Sequence, residues 1–243
     1  MNPELAADLA GTSLAMARRF HAGATMWCAA PGWEPHAHHI AVEFVHPVIV
    51  GKRALPAFAL TGPKLIEQAR VSVRPGDILI AVAGADSPDA VNLMTRARAW
   101  GAHSVWIGSG PRPRPGSADH VLWIDDPDPM TPATGRFVLM YHLLWELTHV
   151  CFEHPGILEE PPQECTDEVC ITCSDEGRLG EVIAAPESPL DPALVRTATG
   201  EERVDVTLVA PVAPGDLVLV HAGAALTRPD VPGVPLSSGG VTS

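Results

Sequence analysis

Hydrophobic and polar positions over the first 155 residues fall into two alternating patterns. Residues 3–21 set Leu5, Leu9, Leu14 and Phe20 along one side of a loosely amphipathic helix. The apolar run 24–30, closed by Pro31-Gly32, reads as a buried strand. A helical period returns over residues 36–44 and again over 64–71. Residues 77–83 (DILIAVA) are apolar after the first position, which marks a strand covered on both faces. The turn Arg74-Pro75-Gly76 precedes that strand. Asp86-Ser87-Pro88, a helix start with proline in the first turn, follows it. Residues 87–100 predict a helix closed by Gly101. Residues 103–107 and 119–124 predict strands, and 135–152 a long apolar helix. Strands that alternate with helices of ~10–15 residues build parallel βαβ units, so a three-layer α/β/α domain is expected over residues 1–155.

Beyond that point the pattern changes. Residues 156–168 carry paired prolines and acids and read as a linker. Residues 180–184, 203–209 and 216–221 have strand-like lengths, and the tight turn Ala213-Pro214-Gly215-Asp216 precedes the last of them. No helical period intervenes, so a small all-β barrel is expected over residues 169–228. A unit of roughly 60 residues buries too little surface to be robust alone, and docking on the α/β half is expected. Residues 229–243, rich in Pro, Gly and Ser, read as a disordered tail.

Charge narrows the function. Sixteen Lys and Arg stand against 29 Asp and Glu, a net charge of −13 with His neutral. Nucleic-acid binding and a polybasic membrane anchor both need clustered cations, so neither is expected. No apolar run reaches the ~18–20 residues of a membrane helix. The first 20 residues place acids early and arginines late, the reverse of a secretory signal. A cytoplasmic protein is expected. The five cysteines, at 28, 151, 165, 170 and 173, then favour free thiols, metal ligands or redox chemistry over a disulfide framework. Cys28 and Cys151 sit in apolar segments and read as packing residues.

Three constellations carry candidate chemistry. His39 and Glu43 are four apart on one helix face, where an imidazole and a carboxylate can share a divalent ion. His142, Glu146 and His149 repeat the theme on the last long helix. Exposed pairs of this kind are also ordinary helix surface, and the residues could simply pair with one another. Cys170-Ile-Thr-Cys173, with Cys165 upstream, has metal-ligand or thiol spacing. Asp175 and Glu176 beside it raise rather than lower a thiol pKa, which fits metal ligation better than a reactive nucleophile. Two inert thiols are the alternative. The loop Gly84-Ala85-Asp86-Ser87-Pro88 lies where open α/β sheets bind ligands, with Ser87 as its hydroxyl and Asp86 opposed to phosphate.

Two resemblances follow from these residues. Residues 37–44 (AHHIAVEF), 77–89 (DILIAVAGADSPD) and 141–147 (YHLLWEL) resemble the sugar isomerase (SIS) domain of phosphoheptose isomerases. The resemblance implies zinc on His39, Glu43 and His142 and keeps Ser87 of the phosphate loop; Asp86 beside it and Trp33 before the metal helix complete the candidate ligand-binding residues. It also implies a homodimer or homotetramer formed through this domain. A family glutamine eight residues before the last ligand is replaced by Thr134, and hydroxyls of the family's phosphate loop by Ala83, Gly84 and Ala85.

Residues 169–171, 204–209 and 215–225 resemble the HypC/HupF hydrogenase maturation chaperones, small OB-like barrels. That resemblance implies an iron cyanide/carbonyl unit on Cys170 and His221, with Cys173 as an extra ligand. Its partners would be the [NiFe]-hydrogenase large-subunit precursor and other maturation proteins. The family cysteine follows the initiator Met, whereas Cys170 is internal. The expected function is therefore a hydrogenase maturation factor. The alternative is a zinc-dependent sugar-phosphate isomerase or a non-catalytic sugar-phosphate binding protein.

Overall fold

The computed structural model describes residues 3–159 and 177–229. The first stretch runs α1 (Pro3–His21), β1 (Met26–Ala29), α2 (Glu34–Val45), β2 (Ala57–Leu60), α3 (Leu65–Ser72), β3 (Ile78–Val82), α4 (Pro88–Ala99), β4 (His103–Ser109), β5 (His120–Ile124) and α5 (Gly135–Glu153). The five strands are parallel, in the order β2-β1-β3-β4-β5. Every residue of the central strand β3 is buried, which is why ILIAV shows no polar alternation.

Its side chains nevertheless divide between two layers. Ile78, Ile80 and Val82 pack with Phe44, Phe137 and Tyr141 under α1, α2 and α5. Leu79 and Ala81 pack with Leu93, Met94 and Trp100 under α3 and α4. Each buried Ile, Leu or Phe contributes about 1.5–3 kcal/mol, so both faces of the sheet are held by apolar burial. β2 is absent from the strands expected above. It is four residues long, lies at the sheet edge, and leaves Phe58 half exposed against Trp27.

The second stretch forms β6 (Arg178–Ala184), β7 (Ala193–Thr197), β8 (Gly200–Val204), β9 (Leu217–His221) and β10 (Ala224–Thr227). These make a five-stranded antiparallel sheet, ordered β10-β9-β6-β7-β8, over a valine-rich core of Val182, Val195, Val204, Val218 and Val220. Its two outer strands meet at one bridge, where Asp205 N–H donates to Gly223 O (2.9 Å) and Ala225 N–H to Asp205 O (2.7 Å). The strand expected over 203–209 stops at Val204. Asp205 Oδ1 takes the backbone N–H and the hydroxyl of Thr207 at 2.9 and 2.6 Å, an Asx turn that competes with the ladder.

The expected docking of the two stretches is present and polar. Glu181, fully buried, accepts from Arg70 Nε (2.9 Å), Arg96 Nη1 and Trp100 Nε1 (2.6 Å). Arg196 donates to the carbonyls of Arg70 (3.0 Å) and Val73 (2.7 Å), satisfying the open end of α3, and its guanidinium lies 5.7 Å from the Trp100 ring centroid. Gly101 lies against the second stretch at Ala198. A Cβ there would lie 2.8 Å from Ala198 O, and its φ of +70° already favours glycine.

Candidate metal centre

The strand order changes direction between β1 and β3. From β1 the chain passes to α2 on one face, and from β3 to α4 on the other. A crevice outside the carboxyl ends of two such strands is where open α/β sheets bind ligands.

α2 and α5 share one layer of the fold and bring together the three ligands expected there. His39 Nε2 lies 3.3 Å from Glu43 Oε1 and 3.3 Å from His142 Nε2, and His142 Nε2 lies 3.5 Å from the same carboxylate oxygen. One ligand atom from each residue therefore falls within 4.8 Å of the others. The side chains of His39, Glu43 and His142 are 37%, 22% and 44% exposed, so the cluster opens to solvent on one side. The i, i+4 spacing puts His39 and Glu43 one turn apart on α2, and the helix crossing supplies His142.

Two residues that the sequence reading gave no role hold this arrangement. The phenolic oxygen of Tyr141 lies 2.7 Å from His39 Nδ1. Tyr141 is buried, and that burial, with Glu43 adding to it, pushes the phenol up to about 12, so it keeps its proton in neutral solution. His36 Nε2–H donates to Pro132 O at 2.7 Å, tying the first turn of α2 to the segment that enters α5. Burial pushes the His36 imidazole below its ordinary range, against the pull of the Pro132 hydrogen bond. Tyr141 is the chain's single tyrosine and directly precedes His142, a signal available in the sequence.

The other expected site residues are placed differently. Glu146 pairs with Lys52 (3.6 Å), and the buried His149 lies between Trp145 O (2.9 Å) and Arg53 O (3.0 Å), so both are structural. Thr134 caps α5, donating to Thr131 O (2.7 Å) and accepting from Arg136 N–H (3.4 Å). Ser87 caps α4, its hydroxyl oxygen accepting from Ala90 N–H at 3.3 Å. Asp86 folds back over Gly84, where a Cβ would lie 2.7 Å from its Oδ1. Trp33, half buried at the start of α2, packs against the core and lies 6.4 Å from His36 between ring centroids. Cys28 and Cys151 are buried packing residues, as expected, and burial pushes both thiols up. His221 ends β9 and pairs with Ala224. Cys170 and Cys173, the other members of the expected iron set, lie outside the described residues.

Comparison with known proteins bears on the first stretch. The phosphoheptose isomerase of Nitratidesulfovibrio vulgaris is 31% identical over 170 residues, covering 62% of this chain and 78% of that protein. The chain belongs to the phosphoheptose isomerase family. A second member, from Desulfovibrio desulfuricans, is 28% identical over 154 residues, covering 56% of this chain and 73% of that protein. A solved phosphoheptose isomerase from Francisella tularensis shares the fold, with a TM-score of 0.52 and 17% identity over 61% of this chain and 86% of that one. No protein-family model matches. Nothing found supports the expected likeness of residues 169–228 to hydrogenase maturation chaperones, or that function. The family membership corrects the order of the two expectations: the isomerase alternative is the supported one. Among the described residues, no helix is long and apolar enough to cross a membrane.

Proposed function

We propose that this protein is a metal-dependent sugar isomerase, with His39, Glu43 and His142 as ligands of a divalent ion. The observation that carries the proposal is the convergence of two imidazoles and a carboxylate from two helices within 4.8 Å. Nitrogen and carboxylate donors suit zinc, and three protein ligands leave the open position of a catalytic rather than structural site. A bound zinc supplies a Lewis acid for a sugar carbonyl oxygen.

The protein's own residues orient that site. With His39 Nε2 as the ligand atom, the ring proton sits on Nδ1 and donates to the Tyr141 oxygen, fixing both tautomer and ring angle. His36 holds α2 against the segment entering α5 and so keeps His39 and His142 opposed. The family membership points the same way.

The test is elemental analysis of the purified chain, beside deuterium exchange at the carbon next to the carbonyl of supplied ketoses. Zinc is expected in the wild type and lost in His39→Ala, together with exchange. Zinc retained in His39→Ala, or no exchange with any ketose from zinc-loaded wild type, would refute the proposal.

A further inference from the structure

We infer that the cleft between the two stretches of chain is a second ligand site, separate from the metal centre, that takes a small phosphorylated polyol through Arg70. The cleft has a volume of about 810 Å³. Its walls come from the loops that follow β1 and β2, from α3 and α4, and from the turn at residues 213–216 of the second stretch. None of His39, Glu43 and His142 lines it.

The positive charge along the cleft is only partly answered. Arg70 and Arg96 both bind Oε1 of Glu181, one carboxylate between two guanidiniums. Arg70 spends only its Nε there (2.9 Å). Its two Nη groups have no acceptor among the described residues, and its side chain is 30% exposed. Gly215 stands over this guanidinium, where a Cβ would lie 3.2 Å from Nη2, so the second stretch sets no side chain against it at that point. A phosphate can accept two N–H bonds from one guanidinium, each about twice as strong as a neutral hydrogen bond. Further donors lie on α4. Asp89 N–H, in its first turn, has no acceptor among the described residues, and a helix start favours an anion. Asn92, one turn on, gives its Oδ1 to Arg96 Nε (2.7 Å), which leaves its amide N–H groups for a ligand.

Four carboxylates also line the cleft, and they narrow the class. Glu34 Oε1 accepts from Gly62 N–H (2.9 Å). Asp216 Oδ2 accepts from Ala213 N–H (2.9 Å) and lies 3.5 Å from Arg228 Nη1. Glu67 and Asp89 are exposed. A bare anion would meet those two only as repulsion. A neutral sugar would leave the Arg70 Nη groups without a charged partner. A phosphate ester of a polyol answers both, with its phosphate on Arg70 and its hydroxyls donating to the carboxylates. The volume suits a ligand of that size.

The experiment uses the full chain carrying His39→Ala, which removes a metal ligand, and reads binding by calorimetry. The probes are a seven-carbon ketose phosphorylated at its terminal carbon, the same ketose without phosphate, and inorganic phosphate. The ester is expected to bind at one site per chain and at least about tenfold tighter than the free ketose. Adding Arg70→Gln is expected to weaken the ester at least about tenfold. Adding Glu67→Gln, at an exposed position one turn from Arg70, is expected to tighten inorganic phosphate about two- to fivefold by removing a repelling carboxylate. The second variant leaves the joint with Glu181 intact, so it decides the matter if Arg70→Gln does not fold. No ester bound, a free ketose bound as tightly as the ester, or affinities unmoved by either added substitution overturns the inference. Each of these outcomes leaves the isomerase reading to its own test, zinc content and exchange in wild type.

Discussion

His39 works with both ring nitrogens, one toward Glu43 and His142 and the other toward Tyr141. Removing the phenolic oxygen leaves the ring without its orienting partner while the three ligand atoms remain. Tyr141→Phe is therefore expected to weaken zinc binding by about 10–100-fold, measured by competition with a chelator. Unchanged affinity would show that the phenol plays no part in holding the ring. At this scale much of the site was legible. His39 and Glu43 are neighbours by helical spacing alone, and His142 carried the same hint. Their meeting was not legible, because it depends on how α2 crosses α5, and no local period records that. Glu146 and His149 show the ambiguity: they share the pattern and have structural partners instead.

Elements were legible in proportion to their burial. β3 was found whole because an apolar run between turn signals has few other readings. β2, β7 and β10 were missed, being four or five residues long and partly exposed. The end of β8 was overrun because the Asx turn at Asp205 rests on a side-chain contact that hydropathy does not reveal.

The neighbouring strands β4 and β5 also carry a pH dependence. His103 and His120 stand edge to face at 5.0 Å. Burial, with His120 and Arg19 adding to it against Asp119, pushes His103 down to about 4 from an ordinary 6.5. Burial pushes His120 in the same direction, against the pull of Asp119 and Asp8. The unfolded chain then takes up a proton that the folded chain refuses. Stability is full above about 6.5 and falls as pH drops toward 4, by on the order of 2–3 kcal/mol for His103. Denaturant titrations at several pH values are expected to show this slope in wild type and a shallower one in His103→Gln. An equal slope in both would assign the dependence to other groups.

On the scale of the whole molecule, the two stretches are joined through a buried charge. Arg96 is 3% exposed and Glu181 is completely buried, so neither can turn to water if the other is lost. Glu181→Ala leaves the buried Arg96 guanidinium without its carboxylate, with Asn92 Oδ1 still accepting from Nε, and leaves the Trp100 N–H without an acceptor. The expected cost is about 3–5 kcal/mol in urea denaturation. A cost below about 1 kcal/mol would mean that apolar contacts such as those of Leu217 hold the joint. Sequence alone called for docking on grounds of size, but it gave no sign that a glutamate in the middle of β6 would be the contact.

Asp205 and Ala224 tie the two outer strands of the second sheet together. Recruitment by strand addition needs a row of free backbone donors and acceptors along a sheet edge. At this seam the N–H and C=O of Asp205 are already engaged with Gly223 and Ala225. An extended peptide has no place to add there, so recognition at that rim of residues 177–229 has to be read from side chains rather than from the backbone.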